Sequence, residues 1–321
     1  MTSKSISAAP KITIGIPTLN RRSYLMLALE SALAQTYSNI EVIVSDNAST
    51  DDTLEYLAAI TDPRLRVLRQ SQNIGMVGNF NATLDAATGE FFLLLSDDDL
   101  LAPAAIERLS APILQPPATL SSAAIGIVWC NCTIIDSKGI SLWDTAAGPL
   151  VESSVSLIEN LWLGFRGPRL ASVLERTSDA RLVGRYDESR FGVLCDTGNW
   201  GQVALRYPSV VCVPQPLVKY RVHPSSGTAN SVCSQWQQWG ISLHSALVDT
   251  VRSRGDENGA TVLERLKKPL LANLTVDVLM RGRGTPGWIG CCLSEFWRSR
   301  TYLLTAYCAR RILREGCKLL R

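Results

Sequence analysis

Over the first hundred residues, short runs rich in β-branched and aliphatic residues alternate with stretches whose apolar positions recur at helical spacing. Residues 11–17 (KITIGIP), 40–46, 64–69 and 90–96 predict four strands. Residues 21–35, 51–60 and 75–87 predict the helices between them, the first with Leu25, Leu29, Ala32 and Leu33 on one face. Ser49, Thr50 and Asp51 carry side-chain oxygens suited to capping the second helix. The order βαβαβαβ predicts an α/β fold, an α/β/α sandwich around a mainly parallel central sheet. After Pro103 the pattern predicts a helix, a strand over 125–134, and a less regular stretch to about residue 167. Residues 170–174, 210–213 and 217–222 predict further strands around an acid-bearing segment at 186–205. Beyond residue 225 the chain reads as helical, with Gly284, Pro286 and Gly287 marking a hinge.

In open sheets of this kind ligands bind beyond the carboxyl ends of the strands. The polar residues at those ends are Thr18 and Asn20, then Asp46 and Asn47, then Gln72 and Asn73, then Asp97, Asp98 and Asp99. Three adjacent carboxylates repel unless a cation joins them, and oxygen ligands suit Mg²⁺ or Mn²⁺. A helix cap explains one of these Asp residues well and three poorly. Asp46, at the end of an apolar strand, suits either a base N–H and ribose hydroxyls or a tight turn before Asn47. The segment Pro17-Thr18-Leu19-Asn20 can bring backbone N–H groups, from Thr18 onward, near a nucleotide. Asn73 reads equally as a helix cap, and Asn79 and Asn81 cost helix propensity that bonds made elsewhere must offset. Asp196 suits either a base within reach of a hydroxyl proton or another helix cap. Arg221 suits a phosphate, and His223 beside it is more often a structural group than a ligand.

Composition narrows the class. The chain has 321 residues, 46% hydrophobic and 19% charged, which is enough to bury a sizeable core and too apolar for disorder. Residues 1–10 read as a flexible start without the apolar run of a signal peptide, so a cytoplasmic location is expected. The longest uncharged stretch, 109–135, is broken by Pro112, Pro116 and Pro117, so no spanning helix is expected. Nine cysteines without a CxxC pair read as reduced, mostly buried thiols, and Cys130 and Cys132 sit at alternate strand positions. The net charge of +3 is uneven: residues 298–321 carry +6 and the rest −3. An acidic main body and a basic stripe without interleaved aromatics disfavour nucleic acid as a partner.

Several segments together resemble the family 2 glycosyltransferases of the GT-A fold. They are Ile16-Pro-Thr-Leu-Asn-Arg21, Val42-Ile-Val-Ser-Asp-Asn-Ala-Ser-Thr-Asp51, Asn73-Ile-Gly75 with Asn81 and Ala87-Thr-Gly-Glu90, and Leu95-Ser-Asp-Asp-Asp99 with Pro103. The match is nearly continuous over 11–104, weaker to 224, and absent beyond. The resemblance implies an inverting transfer from a nucleotide diphosphate sugar to a hydroxyl of a glycan or lipid-linked glycan, in cell-surface polysaccharide or glycolipid synthesis. By it Asp46 meets the base, Asp97 the ribose or metal shell, Asp98 a Mg or Mn ion with Asp99 in support, and His223 and Arg221 the donor diphosphate region. Asp196 falls where the family has its catalytic base, although Cys195 stands where Glu is usual. Phe80 stands where many members have Arg. The implied organisation is a nucleotide-sugar half at 11–104, an acceptor-side half of the same domain at 105–224, and a helical region at 225–321. A nucleotidyltransferase would want a glycine-rich phosphate loop after the first strand, and residues 16–22 contain no glycine. A binding protein that keeps the fold without turnover is the remaining alternative.

Arg310, Arg314, Lys318 and Arg321 recur at four, four and three residues and make a basic stripe on the last predicted helix. Two readings fit: contact with an anionic membrane surface at its inner face, or a helix docked on the domain with a solvated charged face. The membrane reading predicts that the chain floats with anionic liposomes and that removing residues 298–321 abolishes this. Sinking of the intact chain excludes it.

Overall fold

The computed structural model describes residues 9–223 and 233–281, the latter with side chains over 235–275. Strands β1 (Ile12–Thr18), β2 (Ile40–Asp46), β3 (Leu65–Arg69) and β4 (Phe91–Leu94) alternate with helices α1 (Arg22–Leu33), α2 (Thr53–Ala58) and α3 (Met76–Ala86). They form a parallel ladder in the order β3-β2-β1-β4. The chain continues through β5 (Leu100–Leu101), α4 (Ala105–Leu114), β6 (Ile127–Ile135), β7 (Ser141–Asp144), β8 (Val151–Ser153) and α5 (Ser154–Trp162). Next come β9 (Val173–Arg176), α6 (Thr177–Leu182), α7 (Glu188–Phe191), α8 (Cys195–Leu205) and β10 (Ser209–Arg221). Helices α9 (Cys233–Ser253), α10 (Glu257–Arg265) and α11 (Lys267–Arg281) follow.

The sheet extends past β4 as β9-β6-β10-β5, with β7 on β6 and β8 on β10. Strand β9 is antiparallel to both β4 and β6, while β6 and β10 pair in parallel. Strands β6 and β10 therefore point the same way as the first four, and six carboxyl ends lie along one rim. This sheet, carrying more strands in parallel than against, with helices on both faces, is the α/β architecture the hydrophobic pattern predicts.

Alternation along the strands feeds two cores. Phe91, Leu93 and Leu95 join Ile12, Ile14, Ile16, Val128 and Cys130 in the core under α1 and α4. Phe92 and Leu94 join Ile127, Trp129 and Cys212 in the core under α3, α5, α8 and α9. Strands buried on both faces read as unbroken apolar runs, which is what a parallel sheet requires. Gly15 allows α3 to approach β1: a Cβ there would lie 2.7 Å from Thr83 Oγ1 and 2.8 Å from the Phe92 ring.

Three elements depart from the sequence expectation. The stretch to residue 167 contains α5, whose N-cap Ser153 accepts a bond from the Ser156 N–H at 3.0 Å. The two strands expected at 210–213 and 217–222 are one long β10, with its register on β6 shifting around Pro216. Proline has no N–H to give a ladder, so the strand bulges there rather than ending. Leu100 and Leu101, to which the hydrophobic pattern assigns no strand, pair antiparallel with β10. Among the described residues no helix is long and apolar enough to cross a membrane. The hinge at 284–287 and the basic stripe at 310–321 lie outside the described residues.

The close packing at Gly15 gives a direct test. Gly15→Ala should destabilise the fold by about 1–3 kcal/mol, the usual cost of overpacking. Urea denaturation measures it, and an unchanged midpoint would show that α3 is not held against β1 at this point.

Candidate active site

Strand ends from both halves of the sheet enclose a cavity of about 520 Å³, a size suited to a small-molecule ligand. Pro17, Thr18 and Leu19 come from the end of β1, Asn47 from β2, and Asn73, Gly75, Met76, Asn79 and Phe80 from α3 and its approach. Ser96, Asp97, Asp98 and Asp99 follow β4, Tyr220 and Arg221 end β10, and Leu170, Val193, Cys195 and Asp196 complete the wall. One side is thus polar and acidic. The side around Asp196 is largely apolar.

The loops are held by amides. Asn20, in the left-handed region with φ 54, donates its N–H to Ser49 Oγ at 2.9 Å and accepts from the Thr50 N–H at 2.7 Å. It ties the loop after β1 to the loop after β2 and does not line the cavity. Asn47 donates to Asn73 Oδ1 and the Gly75 carbonyl and accepts from the Ile74 N–H. Asn79 donates to the Ser45 carbonyl at 2.8 Å and the Thr18 carbonyl at 3.3 Å, joining the ends of β1 and β2 from inside α3. Asn81 exchanges two bonds with the Tyr186 backbone. These bonds account for both helix-interior asparagines. Tyr186 also packs edge-on against Phe80 and donates its hydroxyl to buried Glu175, so it braces the cavity wall.

Asp46 is fully buried behind this wall, its two oxygens 3.3 and 3.2 Å from the Ser49 N–H. Asp97 accepts from Thr18 Oγ1 at 2.8 Å and from Arg21 at 3.2 Å. Burial pushes the Asp97 carboxyl up to about 6, the charge of Asp98 adds to the push, and Arg21 and Thr18 oppose it. Asp98 Oδ1 accepts from Ser96 Oγ at 2.7 Å, and Asp98 Oδ2 meets Arg21 at 3.0 Å and His223 Nε2 at 2.9 Å. Asp99 turns inward, accepting the Arg221 N–H at 2.8 Å, and burial drives its carboxyl well above the carboxylate range.

Arg221 spends its guanidinium on the chain itself. Its Nε donates to the Asp98 carbonyl at 2.8 Å and its NH1 to the Asp136 and Ser137 carbonyls. The Tyr24 ring lies between Arg221, 5.0 Å from its centroid, and His223, stacked at 5.6 Å, and so orients the imidazole. Asp196 sits in the first turn of α8, accepting the Thr197 N–H at 2.6 Å. Burial raises its carboxyl above the usual value, against the hydrogen bonds from Thr197 and the charge of Arg169.

A carboxylate oxygen and an imidazole nitrogen meeting at 2.9 Å are a donor pair a divalent cation accepts. Among the described residues no group of three or more His, Cys, Asp or Glu gathers as a ready-made cage. The pair therefore fits an ion whose remaining ligands are phosphate oxygens and water, the usual situation for Mg²⁺. The sequence motif ending at Arg21 gives that residue no role by itself; its one signal is a cation immediately after a rim motif and at the start of a helix. Ser96 and Tyr24 carried no such signal.

Residues 13–131 match the sequence profile of Glycosyl transferase family 2. An uncharacterised glycosyltransferase of Rickettsia typhi is 30% identical over 249 residues, covering 74% of this chain and 71% of that protein. The GalNAc(5)-diNAcBac-PP-undecaprenol beta-1,3-glucosyltransferase of Campylobacter jejuni is 32% identical over 161 residues, 49% of this chain and 50% of that one. Against these and other curated relatives the matched region spans from 35% to 71% of the relative's length, and 66% and 39% for two further ones. In structure, residues 1–349 of S. aureus TarS in complex with UDP-GlcNAc superpose with a TM-score of 0.58 at 15% identity, covering 95% of this chain and 92% of that one. At that identity the likeness concerns the fold.

The raised Asp97 carboxyl links this site to stability. An acid whose folded value is raised gives stability that is complete below the ordinary carboxylate range and is lost as pH rises through about 6. Asp97→Asn, which has no charge to bury, should match the wild type near pH 4 and exceed it above about pH 6 by roughly 1–3 kcal/mol. Chemical denaturation across that range measures the gap; a gap that does not widen with pH contradicts the assigned burial cost.

Proposed function

Because the chain belongs to the family 2 glycosyltransferases, we propose that it moves a sugar from a nucleotide diphosphate donor to an acceptor hydroxyl, with inversion and with the help of a divalent cation. The observation that supports this reading is that Asp97, Asp98 and Asp99 from the end of β4 and Asp196 from α8 line one and the same cavity. Asp98 and His223 would hold Mg²⁺ or Mn²⁺, and the ion, when bound, would neutralise charge on the departing diphosphate. Thr18, Asn73 and the backbone at Pro17 line the nucleoside side, with Asn20 and Asp46 fixing the loops behind them. Asp97 would take a ribose hydroxyl or the ion's outer shell. Asp99 and Arg221 hold the turn that presents Asp98.

Asp196 accepts the proton of the attacking hydroxyl. A base works best when its pKa approaches the operating pH, and burial moves Asp196 in that direction. It must be ionised to act, so transfer falls as pH drops through the raised value, on an acid limb above the ordinary carboxylate range. The apolar wall of Phe80, Leu170 and Val193 keeps this region dry and suits the non-polar face of a hexose or deoxyhexose. An acceptor such as a glycan or a lipid-linked glycan agrees with the undecaprenol-linked acceptor in the name of the Campylobacter relative. With a lipid-linked acceptor the protein would work at the inner face of the cytoplasmic membrane.

Asp98→Asn and Asp196→Asn should each reduce transfer by about 100-fold or more, with thermal midpoints close to the wild type. Near-normal turnover of either variant refutes its assigned role. A thermal-shift screen of UDP, GDP, CDP and dTDP, with and without Mn²⁺, should show one diphosphate that stabilises the fold and does so more with the ion. No stabilisation by any of the four removes the nucleotide-sugar reading.

A further inference from the structure

Arg21 occupies an unusual position for a charged residue. It is the N-cap of α1, yet its side chain makes no capping bond. Instead one nitrogen, NH1, reaches Asp97 Oδ1 at 3.2 Å and Asp98 Oδ2 at 3.0 Å. The Asp97 and Asp98 side chains are 7% and 10% exposed, whereas that of Arg21 is 29% exposed and lines the cavity. The two carboxylates are thus enclosed, and the cation that bridges them is the most exposed of the three.

The oxygen Arg21 holds on Asp98 is the same one that meets His223 Nε2 at 2.9 Å. A divalent ion ligated by that oxygen and that nitrogen cannot share the space with a guanidinium 3.0 Å from the oxygen. Two cations drawn to the same oxygen would also repel each other. Without Arg21, neighbouring carboxylates in a half-closed site would repel each other unrelieved. With it, they are neutralised but closed to a competitor. A nucleoside diphosphate brings the anionic group that a displaced guanidinium binds well through its planar fork, and it would arrive at the start of α1, where the helix dipole favours negative charge.

We propose that Arg21 is a counter-cation latch: it holds Asp97 and Asp98 together in the empty protein, yields Asp98 to the divalent ion, and closes on the donor diphosphate. Binding of ion and diphosphate are coupled through this one side chain, because the charge leaving Asp98 is the charge the diphosphate gains. The proposal rests on the reading of Asp98 and His223 as holders of the ion.

The latch predicts opposite shifts in two affinities. In Arg21→Gln, Mn²⁺ alone, followed by the EPR signal of the free ion, should bind about tenfold more tightly, because its competitor is gone. The diphosphate that stabilises the wild type most, among UDP, GDP, CDP and dTDP, should bind about tenfold more weakly at saturating Mn²⁺ by calorimetry. Arg21→Lys keeps the charge but loses the fork, and should lie between the two on both measurements. A merely structural role would weaken both affinities together. Looser or unchanged Mn²⁺ binding in Arg21→Gln therefore overturns the latch while leaving the proposed transfer intact. If the wild type binds no Mn²⁺ even with a diphosphate present, the metal reading fails and the latch falls with it.

Discussion

Everything at the rim is organised by the need to keep three consecutive carboxylates, Asp97, Asp98 and Asp99, in a place where water screens them little. Charges in such surroundings repel strongly, and each must find a partner or take up a proton. The protein uses a different answer for each. Asp97 shares Arg21 and Thr18 and is pushed up by burial to about 6. Asp98 meets Arg21 and His223 on one oxygen and Ser96 on the other. Asp99 takes the Arg221 N–H on one oxygen, leaves the other buried without a hydrogen-bond partner, and is pushed by burial well toward its neutral form. What sets Asp98 apart is that one of its oxygens meets an imidazole nitrogen as well as a guanidinium.

That solution requires β10 to return to the place where β4 ends. Arg221 pins the Asp98 carbonyl and the turn at Asp136 and Ser137, and Tyr24 stands between Arg221 and His223. Arg221, which the sequence suggests for phosphate, thus also clamps the backbone here, and Arg21 is the second arginine lining the cavity. On the opposite wall, the loops carrying Thr18, Asn47 and Asn73 are joined by side-chain amides, which can donate and accept at once. Donors fixed in this way before the ligand arrives need no reorganisation when charge develops, the condition under which electrostatic stabilisation is most effective.

Asp196 depends on elements farther away. It begins α8 directly after residues 192–194, and Gly192, at φ 52, lies under the Trp239 ring of α9, where a Cβ would come within 2.0 Å of it. The described C-terminal helices are therefore part of what holds the Asp196 segment in place. Trp162, from α5, stacks on His244 of α9 and its carbonyl accepts a bond from Asn273 of α11, which ties these helices to α5.

The first half of the fold was legible because its information is local. Unbroken apolar runs at strand length, helical periodicity between them and polar residues at each strand end define β1 to β4 and put Thr18, Asp97 and Asp98 on one rim. Helix α5, the bulge in β10 and the pairing of Leu100 and Leu101 were not legible, because each is decided by a partner strand or a cap bond rather than by periodicity. The same holds for the site. Sequence alone determined that carboxylates gather at the strand ends, since that follows from alternation and strand direction. Only the tertiary structure decided which of them lines the cavity, that Arg21 bridges Asp97 and Asp98 while Arg221 donates to backbone carbonyls, and that His223 reaches Asp98 from 125 residues away. Such contacts depend on strand order across the whole sheet, and no short-range pattern in the chain encodes that order.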